Sequence, residues 1–177
     1  MKDICNMLMQ SKELAIISHF RPDGDAVGST LALGLAMMGL GKRVYMWNED
    51  AVPARYAFLE GANLVQRVPA ELPEGVDAVV CVDAGDLKRV GDAATRLFHQ
   101  APLTLNIDHH ETNTRYAAAN LVEGEAAACG CVLFKLLRKM GVALTRPIAE
   151  ALYVAISTDT GSFQYSSTTP EVMEMAA

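Results

Sequence analysis

The chain has no surplus of positive charge. Fifteen Lys and Arg stand against 21 Asp and Glu, a net charge of −6. A protein that coats long nucleic acid through its phosphates needs a basic face, so long duplex nucleic acid is excluded as a partner. A short anionic substrate stays open, because bound divalent cations can supply local positive charge. Long apolar runs are missing too. The longest, Ala26 to Leu40, is broken by Gly28, Ser29, Thr30, Gly34 and Gly39, too short and glycine-rich for a membrane span. The N-terminus, Met1-Lys2-Asp3-Ile4-Cys5-Asn6, lacks a signal-peptide plan, so a cytoplasmic location is the default expectation. Cysteine is sparse: Cys5, Cys81, Cys129 and Cys131 follow neither a disulfide framework nor a zinc knuckle, and they read as small buried residues. Histidine is rarer than any of the charged residue types, with four in 177 residues.

What is present is a globular composition, 51% hydrophobic and 20% charged, in a length that fits one domain. Asp3 to Ser11 reads as a lead-in helix. Leu14 to Ser18 reads as a strand buried on both faces, followed by a glycine-bearing polar turn and a helix from Ala26 to Met38. Val44 to Trp47 reads as the next strand, completing a parallel βαβ crossover. Pro53 to Leu59 reads as one short helix, and Val65 to Gly75 as loop with a small edge strand. Val76 to Val82 is the clearest strand. A helix from about Arg89 to Gln100 and a strand from Leu103 to Ile107 follow. Glu111 to Glu125 has no clean periodicity and reads as an extended excursion. Helices are expected over Ala126 to Met140 and from Pro147 to about Thr158. The sum is an α/β fold: a doubly wound, mostly parallel sheet flanked by helices.

The strand ends carry the chemistry. Ser18 is followed by His19, Asp23 and Asp25. Val82 is followed by Asp83, and Ile107 by Asp108, His109 and His110. The last helix delivers Asp159 before a glycine turn. In a doubly wound sheet the carboxyl ends of parallel strands share one edge, so four separate segments bring acids and histidines to one place. An Asp after a strand is commonly a helix cap, and a lone His is commonly structural. The group is different, because clustered carboxylates repel one another unless cations neutralise them. Two divalent ions balance four carboxylates.

These motifs have a familiar order. His19-x-x-x-Asp23-Gly-Asp25, Val82-Asp83-Ala-Gly-Asp86, Asp108-His109-His110 and Asp159-Thr160-Gly161 resemble the four motifs of the DHH phosphoesterases, and they cover almost the whole chain. Arg21 to Ser29, with Asp108 to Asn113, most resembles the branch of bifunctional oligoribonucleases and pAp phosphatases. The resemblance implies a manganese-dependent hydrolase with two divalent ions, usually Mn²⁺, with Mg²⁺, Co²⁺ and Zn²⁺ compatible with the same donors. One ion falls to His19, Asp23 and Asp83, and the other to Asp25, Asp83, His109 and Asp159, with Asp83 bridging. Two-metal hydrolysis follows. In it His110 contacts the phosphoryl group, Asp108 orients the histidines, and Asp83 joins these two as a catalytic residue. Arg21, Ser29, Asn113 and Arg115 are the expected further substrate contacts. The expected substrates are short RNA, cut to 5′-mononucleotides, and 3′-phosphoadenosine 5′-phosphate (pAp), cut to AMP. Cyclic dinucleotides, polyphosphate or pyrophosphate are alternatives, as is a non-catalytic nucleotide-sensing module. A homodimer stays open. Members of this branch carry a C-terminal substrate-binding domain with a glycine- and histidine-containing motif that residues 1–177 do not show. The expectation is therefore that residues 1–177 are the catalytic domain of a longer protein.

Overall fold

The computed structural model describes all 177 residues. Six strands form one wholly parallel sheet: β1 (Glu13–Ile17), β2 (Arg43–Asn48), β3 (Val65–Arg67), β4 (Ala78–Val82), β5 (Thr104–Asp108) and β6 (Ala119–Val122). Their spatial order is β3-β2-β1-β4-β5-β6. Six helices accompany them: α1 (Lys2–Gln10), α2 (Gly24–Gly39), α3 (Asp92–Gln100), α4 (Cys129–Lys139), α5 (Arg146–Asp159) and α6 (Pro170–Ala176).

The central strands explain the layering. Every residue of β1 and of β4 is buried, which requires cover on both faces of the sheet. Alternation along the strands sends Leu14, Ile16, Val80 and Val82 into the larger core, with Leu31 of α2 and Leu133 of α4. Ala15, Ile17, Val79 and Cys81 face the other way, onto Leu97 and Phe98 of α3. On the thick side α2 and α5 pack closely, because α2 presents glycine there. A Cβ at Gly28 would sit 2.3 Å from the Ala151 carbonyl oxygen. All four cysteines are buried and free.

From β1 the chain winds outward through β2 to β3, and from β4 through β5 to β6. The winding therefore reverses between β1 and β4, and the carboxyl end of that junction is where such sheets open a crevice. His19 and Asp83 lie just beyond those two strands.

Three expectations need revision. Residues 111–125 are not purely an excursion, because Ala119–Val122 pairs with β5 as the sixth strand. Pro53 to Leu59 does not form one helix but a 3₁₀ turn, Ala54–Tyr56, and further turns. The helix expected from Arg89 is split into a 3₁₀ turn, Leu87–Val90, and α3, because Gly91 takes φ 93° between them. The terminal α6, with Thr169 accepting from the Val172 amide as its cap, was not expected at all. No helix is long and apolar enough to cross a membrane.

Candidate metal centre

The loops after β1, β4 and β5 and the end of α5 build one polar cleft of about 380 Å³, lined by twelve residues of which one is hydrophobic. Asp83 is its centre. It follows β4 with φ 53°, in the left-handed region, a conformation that non-glycine residues hold only where surrounding structure enforces it. The carboxylate is almost wholly buried, and its two oxygens face different histidines. Asp83 Oδ2 lies 3.6 Å from His19 Nε2, and Asp83 Oδ1 lies 3.5 Å from His109 Nε2. His19 Nε2 is also 3.7 Å from Asp23 Oδ1. His109 Nε2 is 3.7 Å from Asp25 Oδ2 and 3.3 Å from Asp159 Oδ2.

Both histidines are aimed by their other ring nitrogen. Nδ1 of His19 is 2.8 Å from the Phe20 carbonyl oxygen, and Nδ1 of His109 is 3.2 Å from that of Ala126. Donation from Nδ1 to a carbonyl leaves Nε2 as the lone-pair atom in the cleft, the usual orientation of a metal-binding imidazole.

Asp25 is fully buried, and the sequence alone does not say how a carboxylate survives there. It sits in the first turn of α2 and accepts from the amides of Cys129 (2.6 Å) and Gly130 (2.9 Å) and from the Ser29 hydroxyl (3.0 Å). The first amides of α4 have no capping side chain of their own. Asp25 therefore serves as the missing cap of α4, with the amino ends of two helices directed at one carboxylate. Asp23 is the N-cap of α2, accepting from the Ala26 amide at 3.0 Å.

The electrostatics are strained without cations. Burial opposes a charged His19, but the Asp23 and Asp83 carboxylates overcome it and raise the imidazole to about 10. His109, similarly buried, is raised to about 9 by Asp83, Asp25 and Asp159. Burial and then repulsion from Asp83 push Asp159 up to about 6. Burial followed by Asp83 and Asp159 pushes Asp25 well above the usual carboxylate range. Asp83 itself moves down: burial resists its charge, but the two histidines outweigh that. Protons on His19 and His109 thus offset the acids.

The donors fit divalent metal. Three sets hold ligand atoms within 4.8 Å of one another: His19-Asp23-Asp83, Asp25-His109-Asp159 and Asp83-His109-His110. Separations of 3.3–3.7 Å between nitrogen and oxygen are too long for good hydrogen bonds. They approach the roughly 3.0–3.4 Å between neighbouring ligands on an ion with bonds near 2.1 Å. Oxygen-rich donors with a minority of imidazole suit Mn²⁺ or Mg²⁺ over thiolate-preferring metals.

His110 is the open edge of this group, its Nδ1 3.9 Å from Asp83 Oδ1. Its side chain is 45% exposed, and its Nδ1 is 2.8 Å from Asp108 Oδ1. Asp108 is fully buried and accepts at Oδ2 from the Asn113 side-chain Nδ2 at 2.6 Å. Asn113 also donates to Asn106 Oδ1 at 2.8 Å, and Asn106 donates to the Tyr116 hydroxyl at 3.0 Å. The Asp108 carboxylate, with the ordering behind it, raises the His110 imidazole despite partial burial.

The structure therefore brings His19, Asp23, Asp25, Asp83, His109 and Asp159 together, with His110 and Asp108 beside them. It treats the four expected substrate contacts differently. Ser29 is fully buried with its hydroxyl on Asp25, so it braces an acid and cannot touch a ligand in the cleft. Asn113 is committed to Asn106 and Asp108. Arg21 and Arg115 are exposed residues with positive φ, and neither lines the cleft. Asp86, Arg89, Thr112 and Thr114 do line it. Asp86 and Thr112 fall within the motif runs quoted above without being given a role, whereas Arg89 and Thr114 are unremarkable polar residues in sequence, marked only by their closeness in chain to Asp83 and His110.

A parallel sheet with an acid-histidine cluster at its switch point defines an α/β domain built around a candidate metal centre. More specifically, the chain belongs to the DHH family: the model of its N-terminal domain matches residues 13–156. The chain is 37% identical, over 92% of its length and 48% of the relative's, to a bifunctional oligoribonuclease and PAP phosphatase of Thermus thermophilus. It is 26% identical to the Bacillus subtilis protein of that description, over 89% of this chain and 48% of the other. An exopolyphosphatase-related protein from Bacteroides fragilis superposes with a TM-score of 0.88 at 23% identity, covering 98% of this chain and 54% of that one. The chain thus spans about half the length of the relatives it matches.

Proposed function

We propose that this protein is a metal-dependent phosphoesterase that cuts short oligoribonucleotides to 5′-mononucleotides and pAp to AMP. The single observation that carries the reading is Asp83, whose two oxygens face two separate donor sets. A carboxylate so placed is suited to hold two cations close together, and a pair of cations suits in-line displacement at phosphorus. The two similar nucleases direct the choice of substrate.

On this reading His19, Asp23 and Asp83 hold one divalent ion, and Asp25, Asp83, His109 and Asp159 hold the other, with Mn²⁺ the preferred metal. When bound, such ions would supply Lewis-acid charge at the phosphoryl oxygens and lower the pKa of a water held there. The chain's own residues do the rest. Asp83 sets the spacing of the two donor sets. The carbonyls of Phe20 and Ala126 fix the histidine tautomers. His110, anchored at Nδ1 by Asp108, would donate from Nε2 to a phosphoryl oxygen as the imidazolium that this carboxylate favours, and so hold the developing charge.

The test is hydrolysis by the full-length protein in Mn²⁺, with 5′-phosphorylated di- and trinucleotides, pAp, polyphosphate, pyrophosphate and a cyclic dinucleotide. Release of mononucleotides from RNA and of phosphate from pAp, both abolished by Asp83→Ala, supports the reading. Activity on only the last three compounds replaces the substrate. Inactivity across the panel with metal bound replaces the enzyme with a nucleotide-sensing module.

A further inference from the structure

Among the residues lining the cleft there is one permanent cation, Arg89. It shares that cleft with Asp23, Asp83, Asp86 and Asp159, yet its guanidinium forms no ion pair and no hydrogen bond with any of them. It lies instead over the Phe20 ring, 5.1 Å from the centroid. A guanidinium that stacks on an aromatic face keeps its N–H fork available in the ring plane for a planar or tetrahedral anion.

Its backbone is also fixed to the metal donors. The Arg89 amide donates to the Asp86 carbonyl at 2.9 Å, and the Arg89 carbonyl accepts from the Phe20 amide at 2.8 Å. Phe20 follows His19 directly. Asp86 spends one carboxylate oxygen on the Lys88 amide at 2.8 Å, capping the same turn. The turn that carries Arg89 is thereby tied to the loop after β1, while its side chain stays exposed.

We propose that Arg89 is a specificity-determining residue that binds a second phosphate of the substrate, the one not being cut. The inference rests on the phosphoesterase reading. The acids and imidazoles already provide for the reacting phosphoryl group, and a cation standing clear of every carboxylate in the cleft matches a separate anion. The ligand class is a compound with two phosphate groups: a 5′-phosphorylated dinucleotide or a nucleoside bisphosphate, not a simple monophosphate.

The test compares kcat/KM of the full-length protein in Mn²⁺ for a 5′-phosphorylated dinucleotide and for bis(p-nitrophenyl) phosphate, which has one phosphate. The variants are Arg89→Met, Arg89→Lys and Phe20→Leu. The wild-type preference for two phosphates should fall about ten- to hundredfold in Arg89→Met, chiefly through KM, as expected for loss of a charge-assisted contact. Arg89→Lys should recover part of it, and Phe20→Leu should lose part of it with the guanidinium unbraced. A preference ratio within twofold of wild type in Arg89→Met overturns the proposal, whatever happens to absolute rates. If the wild type cuts neither compound, the phosphoesterase reading fails on its own. Equilibrium dialysis of the same two intact ligands then decides: a two-phosphate preference that Arg89→Met abolishes supports the inference, and equal binding overturns it.

Discussion

The two ends of the sheet handle buried acid in opposite ways. At the amino end, Glu13 and Arg43 open neighbouring strands in register. The Arg43 guanidinium reaches Glu13 Oε2 at 3.2 Å, and the Tyr45 hydroxyl donates to Glu13 Oε1 at 2.9 Å. Asp77 accepts from the Lys12 amide at 2.8 Å. Glu13 is matched there by local partners, whereas Asp77 keeps its Oδ1 buried without one. At the carboxyl end, Asp23, Asp25, Asp83 and Asp159 face three histidines and no lysine or arginine within ion-pair distance. The comparison teaches how to tell a structural charge from a working one. A balanced acid is finished by the fold, whereas an unbalanced set of acids is finished by a ligand.

Substitutions at the two ends should therefore behave differently. The largest effect is expected at Asp83. Asp83→Asn removes the shared ligand, and the account above predicts a loss of phosphoesterase activity of about a thousandfold or more, measured as kcat. The same Glu→Gln change at Glu13 should leave kcat within twofold.

Asp25 comes next, because it is both a metal donor and the cap of α4. Asp25→Ala leaves two amides and the Ser29 hydroxyl without their acceptor in a fully buried position. A loss of about 3–5 kcal/mol is expected in urea unfolding of the metal-free protein. Asp159→Ala, at the more open side of the same set, should cost far less stability while still weakening metal binding.

The third difference appears in pH. His19 and His109 are raised from 6.5 to about 10 and about 9 in the folded, metal-free state, their carboxylate partners outweighing burial. Their stabilisation is full below pH 6.5 and is lost as pH rises through 9 and 10. The melting temperature of metal-free protein should fall between pH 7 and 9, and Mn²⁺ should oppose the fall. Metal must displace these protons, so titration calorimetry in two buffers of different ionisation enthalpy should show proton release at pH 7.5. No release would mean that the histidines are neutral before metal arrives.

The smallest effect is expected at the balanced end. The Arg43 side chain is 70% exposed, and exposed ion pairs contribute about 0–1 kcal/mol. Arg43→Met should shift thermal unfolding by only a degree or two and leave the pH profile of metal binding as it was.

Much of this was legible in sequence because the signals were dense. Leu14 to Ile17 and Ala78 to Val82 are continuous apolar runs, the first followed by Ser18-His19 and the second by Asp83, so both the central strands and the loops after them could be read directly. The strand Ala119–Val122 was not legible. It is four residues long, at a sheet edge, with Leu121 as its one buried residue, so it carries neither a continuous apolar run nor a useful alternation. Ser29 and Asn113 were expected at substrate, whereas in the structure the Ser29 hydroxyl donates to Asp25 and the Asn113 side-chain amide to Asn106 and Asp108. A sequence gives proximity to Asp25 or Asp108, while hydrogen-bond direction depends on packing. Arg89 reads as one more surface residue in Leu87-Lys88-Arg89-Val90 until Phe20, sixty-nine positions earlier, is found beneath it.

The unbalanced end is tested most directly by anomalous diffraction at the manganese edge, from crystals of the full-length protein grown with Mn²⁺. Two peaks are predicted, one among His19, Asp23 and Asp83 and one among Asp25, Asp83, His109 and Asp159, with the Asp83 carboxylate reaching both. Peaks elsewhere, or none in a cleft whose acids stay paired with protonated histidines, would contradict the assignment of this edge as a metal centre.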